Sequence, residues 1–463
     1  MATAVSTANK YVGYLPNDTP PWGAMIGLAF QHVLTMFPAT VLVAILTHFD
    51  VGVTLFASGL ATIAALLVSS RLTKSYIPLY YGSSFSYIGP VVAIVAANSV
   101  KDASGAIVDP TMGIRIAQGG IMMTGVLNIL VGLLIRYVGK ATLDKILPPE
   151  VTGSVACVIG ISLAYAALSM ASANWGIALV TLLVTILFSV YLRGRGFIGM
   201  IPILLGAIVG YIISLFIPGM VNFQQVVDAK WFAVPGFTLP IFQLSAILAI
   251  APIAIATIPE STAHLYQISL YVDQLAAQLG KPPVKLSRFI GINLICDGLG
   301  DSINGFLGGC AGTNYGENNS LMAITRNYSG PALITAGVIA MLLGFIGKLA
   351  ALVGTLPVAV TGGLAIYLFG VIGAQGIALQ IAQKVNMFDP RKLAVIATVL
   401  VIGIGGYIGF PNGEIPAYGL KLPAIATSAV VGILLNLIFM FFPAKAIDKE
   451  FEERPIEDLK LEV

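Results

Sequence analysis

The stretch Thr313-Asn314-Tyr315-Gly316-Glu317-Asn318-Asn319-Ser320 decides how the rest of the chain is read. It has no aliphatic side chain, yet it stands among long apolar runs. A helix needs roughly 20 mostly apolar residues to cross a bilayer. Such runs fall near 22–46, 52–70, 83–98, 114–136, 151–169, 174–192, 197–217, 241–262, 286–308, 330–350, 356–380, 391–409 and 423–442. Hydropathy alone stops there, at thirteen. The basic residues add a fourteenth span at 314–325. With fourteen spans and a cytoplasmic N-terminus, only Lys101, Arg115, Lys230, Lys348 and Lys421 of the 24 Lys and Arg residues fall outside. Dropping the polar stretch would reverse every later segment and expose Lys384, Arg391, Lys392 and the charged tail, against the positive-inside rule. The least hydrophobic candidate therefore belongs inside the bilayer, as the tenth span.

The composition agrees. Of 463 residues, 57% are hydrophobic and 10% charged, where a soluble domain carries about 25% charged residues. So little charge cannot cover a water-facing surface, but it suits a lipid-facing one. The expectation is an all-α polytopic membrane protein. A net charge of +3 gives no reason to expect nucleic acid as a partner. Cys157, Cys296 and Cys310 form no CxxC pair, so neither a disulfide framework nor a zinc site is expected, and no cofactor is implied. The first 20 residues lack a basic segment leading into an apolar core, so the run from Trp22 reads as a retained first span. Residues 1–21 and 444–463 read as cytoplasmic tails, the second highly charged.

Two matches link the halves. Leu147-Pro148-Pro149-Glu150-Val151-Thr152-Gly153 is similar to Leu356-Pro357-Val358-Ala359-Val360-Thr361-Gly362, and each opens a span, the fifth and the twelfth. Tyr81-Gly82-Ser83-Ser84-Phe85-Ser86 is similar to Tyr315-Gly316-Glu317-Asn318-Asn319-Ser320, in the third and tenth. Both pairs are seven spans apart. Seven is odd, so the copies face opposite ways: a 7+7 inverted-topology repeat, which predicts a site at the repeat interface near the midplane. Spans three and ten are short, polar and Gly-interrupted at corresponding positions. Non-helical backbone survives at that depth only where protein or a watery cavity satisfies it, and there it offers N–H and C=O groups to a polar solute.

Ionisable residues inside spans are costly and default to functional hypotheses. Glu260 lies in span eight and Glu317 in span ten, and they read as a carboxylate pair on one cavity. A carboxylate accepts hydrogen bonds from adjacent N–H groups of a flat heterocycle. Shielded from water, it can also take up and release a proton within a transport cycle. His32, after Gln31, and His264, one helical turn beyond Glu260, read equally well as interhelical bridges. Asp297 and Asp301 stand beside glycines and read first as structural. Arg326 reads as an anchor at the end of span ten. There is no HExxH, P-loop or nucleophile–base pattern, which counts against a membrane-embedded enzyme, and an inverted repeat suits a carrier better than a channel.

The run from Asn314 to Arg326 resembles the signature of the nucleobase–ascorbate transporter family: Gln, Glu or Pro, then Asn, any residue, Gly, four residues, Thr, and usually Arg or Lys. Glu317, Asn318, Thr325 and Arg326 match; Ser320 stands where the family has Gly. Gln31-His32, Met36 to Val43, Gly82 to Phe85, Gly347-Lys348 and Gly370 to Gly373 extend the resemblance over nearly the whole chain. The Tyr-Gly-Glu-Asn form followed by Met-Ala-Ile-Thr-Arg is most similar to bacterial uracil permeases. Xanthine and urate members, the runner-up, more often have Gln before the Asn.

The resemblance implies a core domain of spans 1–4 (22–136) and 8–11 (241–350) and a gate domain of spans 5–7 (137–240) and 12–14 (351–443). It implies short strands in spans three and ten. It also implies proton-coupled nucleobase uptake across the bacterial inner membrane, often by a dimer meeting through gate domains. Carried over by position, Glu260 and Glu317 bind the base with Tyr315, Gly316, Phe85 and Ser84. His32, Gln31, His264, Asn318 and Thr325 support the site or the proton. The chain departs from uracil permeases at Ser261, where they commonly have His, and at Pro259. Anion exchangers of like architecture should instead set a cation against the half-helix ends.

Overall fold

Backbone polar groups have no water to pair with in hydrocarbon, so a spanning chain folds into helices that close their own hydrogen bonds. The computed structural model describes residues 13–103, 107–139, 145–193, 195, 198–199, 201–417 and 420–442. Most of both expected tails lies outside these. The helices are α1 (Trp22–Thr47), α2 (Val51–Thr73), α3 (Ile88–Asn98), α4 (Thr111–Val138), α5 (Pro149–Ser162), α6 (Ala164–Ala171), α7 (Trp175–Tyr191), α8 (Pro202–Leu215), α9 (Gln224–Asp228), α10 (Leu244–Ile250), α11 (Ala254–Gln278), α12 (Ile290–Leu307), α13 (Gly316–Thr325), α14 (Gly330–Gly344), α15 (Gly347–Gly354), α16 (Val358–Ala382), α17 (Pro390–Leu400), α18 (Gly406–Gly409) and α19 (Ala424–Phe441). Among the described residues, eight helical stretches are long and apolar enough to cross a membrane, and four more are apolar but shorter. The stretches expected as spans nine and ten, α12 and α13, are helical but belong to neither group. They carry Asp297, Asp301 and Glu317.

Strands β1 (Tyr81–Ser83) and β4 (Gly312–Asn314) pair antiparallel, with Tyr81 opposite Asn314, Gly82 opposite Thr313 and Ser83 opposite Gly312. This is the strand pair expected of spans three and ten. Its outer edges lie deep among helices, and each is satisfied by a side chain. Ser58 Oγ on α2 donates to Tyr81 O at 2.6 Å, and Thr62 Oγ1 accepts from Tyr81 N at 3.0 Å. On the other edge, Asp301 Oδ1 on α12 accepts from Gly312 N at 2.7 Å. An all-helical expectation is corrected elsewhere too. β2 (Val100–Lys101) pairs with β3 (Ile107–Asp109), and β5 (Glu414–Ala417) with β6 (Leu420–Pro423). Both are hairpins in connections between apolar helices, where extended chain pairs with itself instead of continuing a helix.

Helices approach closely where glycines face each other, since an added methyl would run into the partner's backbone. Gly125 meets Gly298 and Gly132 meets Gly291 between α4 and α12. Gly59 meets Gly337 and Gly52 meets Gly344 between α2 and α14. Gly153 meets Gly376 between α5 and α16. Without a hydrophobic drive between helices in lipid, such contacts supply the dispersion energy of association. The two similar Pro-led stretches also adopt one geometry. Pro148 and Pro357 cap α5 and α16, and Thr152 and Thr361 each donate Oγ1 to the preceding proline carbonyl at 3.4 Å.

Candidate functional site

Each strand of the central pair runs straight into a short helix. β1 leads through Ser84 and Phe85 to α3, and β4 leads through Tyr315 to α13. Two helical segments therefore start beside one strand pair: β1 feeds a 3₁₀ turn (Phe85–Tyr87) that continues into α3 and takes the Ile88 N–H on Phe85 O, whereas α13 opens with first-turn N–H groups that have no partner inside their own helix. A cavity of about 700 Å³ opens there, within the usual range of small-molecule sites. One wall comes from Ser83 to Ser86, from Pro259, Glu260, His264 and Gln267 on α11, and from Thr313 to Glu317 and Ser320. The facing wall is Thr152 and Ala156 on α5, and Leu368, Val371, Ile372, Gln375 and Leu379 on α16.

Of the residues singled out in the sequence, Glu260, Glu317, Tyr315, Gly316, Phe85, Ser84 and His264 all line this cavity. Glu260 and His264 share one face of α11, and Glu317 sits in the first turn of α13, where the helix dipole favours an anion. No Lys or Arg lines the cavity, and among the described residues neither glutamate has an ion pair with one. Tyr315 is fixed from behind. Its hydroxyl donates to Ser83 O at 2.9 Å and lies 2.9 Å from Thr40 Oγ1 on α1. Its ring fills the space a side chain at Gly82 would take. Gly316 leaves room for the His264 ring, whose Nε2 would lie 2.8 Å from an added Cβ.

His32, Gln31, Asn318 and Thr325 stand outside the lining. Asn318 Nδ2 donates to His32 O and lies 3.1 Å from His32 Nδ1, which ties α13 to α1. Thr325 Oγ1 donates to Leu321 O, one turn back on its own helix. Gln31 Oε1 is buried without a partner. Ser320, at the family's Gly position, faces the cavity and donates Oγ to Gly316 O at 3.1 Å. Pro259 lines the cavity inside α11, where it leaves the Ile255 carbonyl without its helical donor. Asp301 serves the β4 edge. Asp297 is buried, with neither carboxylate oxygen partnered.

Sequence reasoning missed Gln267, Thr152 and Gln375. Gln267 was within reach of it: Glu260, His264 and Gln267 fall at i, i+4 and i+7 on one helix face. Gln375 carried no signal, since its place opposite the glutamates depends on how α16 packs. Among the described residues no group of three or more His, Cys, Asp and Glu is placed to hold a metal ion.

A permease family model matches residues 23–412. The uracil permease of Bacillus subtilis (strain 168) is 36% identical over 451 residues, covering 93% of this chain and 96% of that protein. The uracil permease of Escherichia coli (strain K12) is 36% identical over 434 residues, covering 91% and 93%. Among solved structures, the transmembrane domain of a cyanobacterial bicarbonate transporter, BicA, superposes with a TM-score of 0.58 at 16% identity, covering 92% of this chain and 100% of that one. That likeness speaks to the fold alone.

Proposed function

The chain belongs to the permease family whose model spans residues 23–412, and we propose that it imports a nucleobase, uracil, by proton symport with alternating access. Its family and its relatives are permeases, so it is a transporter and not an enzyme. One observation carries the substrate reading: Glu260 and Glu317 face a single cavity that no Lys or Arg lines. Two carboxylates without a cation suit a neutral, flat solute rich in N–H donors better than an anion. The free N–H groups at the start of α13 suit its ring carbonyls. Because the glutamates lack a fixed cation, a proton is the natural counter-charge to travel with the solute.

The two walls support alternating access. Ser83–Ser86, α11 and α13 belong to the proposed core (22–136 and 241–350), and α5 and α16 to the proposed gate (137–240 and 351–443). Rocking one against the other would open the cavity to either side. The helix contacts support a fourteen-span 7+7 repeat. A shift of seven spans turns α2–α14 into α12–α4, and it maps α5–α16 and β1–β4 onto themselves. The distribution of Lys and Arg supports cytoplasmic termini in a bacterial inner membrane, and the family resemblance supports a dimer through the gates.

The test is radiolabelled uracil uptake into proteoliposomes holding the full chain, with and without an inward proton gradient, in competition with xanthine. Uracil uptake driven by the gradient is expected. Xanthine outcompeting uracil would overturn the substrate, and indifference to the gradient would overturn proton symport.

A further inference from the structure

The two ring nitrogens of His264 meet different surroundings. Nδ1 lies 2.9 Å from the backbone oxygen of Asn314 and 2.7 Å from its Oδ1. A carbonyl oxygen only accepts, so Nδ1 must carry a proton. The Asn314 amide has its own anchor: Nδ2 donates to Ser261 Oγ at 2.6 Å, which turns Oδ1 toward the ring. Ser261 is held in turn by Asn293, whose Nδ2 donates to Ser261 Oγ at 2.9 Å and to Ser261 O at 3.3 Å. Tyr81 Oη donates to Asn293 Oδ1 at 3.4 Å. The remaining nitrogen, Nε2, lies beside Gly316 on the cavity lining. In a neutral imidazole whose Nδ1 is protonated, Nε2 holds the lone pair.

We propose that Asn314, braced by Ser261, is a positioning residue that keeps His264 in its Nδ1–H form, so that Nε2 offers a third acceptor, beside Glu260 and Glu317, to an N–H of the solute. The solute side of this rests on the nucleobase reading; the histidine form does not. It narrows the solute class to rings with N–H donors on more than one edge. It also gives Ser261 a purpose: its hydroxyl is short enough to let two asparagine amides converge on it beside Glu260. The titratable groups sharing the cavity with the ring are Glu260 one turn back on α11, and Tyr315 and Glu317 at the start of α13. The wall from α5 and α16 presents Thr152 and Gln375, which do not titrate.

The chain has three histidines, His32, His48 and His264, so ¹⁵N NMR of the histidine-labelled full chain in detergent can resolve each ring. His48→Asn identifies one signal, since His48 sits in the left-handed region that asparagine tolerates, and His264→Gln identifies another. Without solute, at a pH where the ring is neutral, the Nδ1–H tautomer of His264 is expected. An Nε2–H ring overturns the proposal. Asn314→Asp sets a carboxylate against Nδ1–H. It should move the pH midpoint of uracil binding alkaline by about one unit or more, while Asn314→Ala weakens binding by about fivefold. An unmoved midpoint in an Asp variant that melts like the parent also overturns it. If either variant fails to fold, the parent spectrum decides. If the parent spectrum shows Nδ1–H but the chain does not take up uracil, the nucleobase reading falls and the histidine lock stands.

Discussion

Asp301 is buried in α12, and its two oxygens have separate tasks. Oδ1 accepts from Gly312 N at 2.7 Å on the edge of β4, and Oδ2 accepts from Asn128 Nδ2 at 3.3 Å on α4. Asp301→Ala strips both donors of their acceptor in a place water does not reach. Each buried donor left unpaired costs about 1–3 kcal/mol, so the variant should lose about 2–5 kcal/mol, allowing for incomplete additivity. Because β4 runs directly into Tyr315 and Glu317, uracil binding should fall with it. Asp301→Asn should behave differently. Its Oδ1 still accepts from Gly312, and its new amide meets Asn128, whose own Oδ1 is buried without a partner. A half-turn of the Asn128 amide lets its Oδ1 accept from the new amide and leaves Nδ2 in the unpartnered place the oxygen held, so the number of unpaired buried groups does not rise and the cost should stay below about 1 kcal/mol. Melting in detergent, with and without uracil, and proteoliposome uptake check both variants. An Asn variant that melts like the parent but does not transport would show that the charge of Asp301 matters and would refute its assignment to the strand edge. An Ala variant as stable as the parent would do the same.

Glu260→Gln and Glu317→Gln should each weaken uracil binding by about ten- to a hundredfold, the worth of a charge-assisted hydrogen bond; equilibrium binding at the parent's affinity removes that residue from the site. Gly82→Ala should lose about 1–3 kcal/mol to overpacking, because its methyl group enters the ring of Tyr315. Pairing it with Tyr315→Leu should recover most of the melting temperature without restoring binding. Outside the spans, burial pushes the Asp389 carboxyl up, but the hydrogen bonds from the side chain and backbone N–H of Arg391 outweigh it and hold it below the ordinary aspartate value. A group depressed on folding contributes stability above its unfolded pKa of about 3.9 and loses it as pH falls through the folded value. Asp389→Ala should therefore cost about 1–3 kcal/mol at pH 7, and the gap in melting temperature should narrow only under acid conditions.

Much of this protein was legible in its sequence. Apolar runs and the sparse basic residues located the helices, because a chain in lipid must alternate apolar spans with charged ends whatever its tertiary fold. The same constraint made the interruptions at Tyr81–Ser86 and Thr313–Ser320 visible, since broken helices in hydrocarbon need a reason. Glu260, Glu317 and His264 stood out for their cost. Other features depended on distance in space rather than along the chain. The hairpins at Val100–Asp109 and Glu414–Pro423 pair short segments with no long-range signature. His32 reads as site support or as an interhelical bridge; packing alone shows that Asn318 is what it bridges to, tying α1 to α13 outside the cavity lining. Asp301 reads as structural from its neighbouring glycines, but its partner, the edge of β4, follows only from packing. The opposing wall, from Thr152 to Leu379, and the Ser261–Asn314–His264 chain join residues up to 227 positions apart that only helix packing sets side by side. Sequence by itself determined which segments are apolar enough for a membrane and which polar groups demand explanation, because those follow from the solvent each residue meets. Tertiary structure alone decided which of those groups line the cavity and which face one another, because hydrogen-bond partners are chosen by packing across helices.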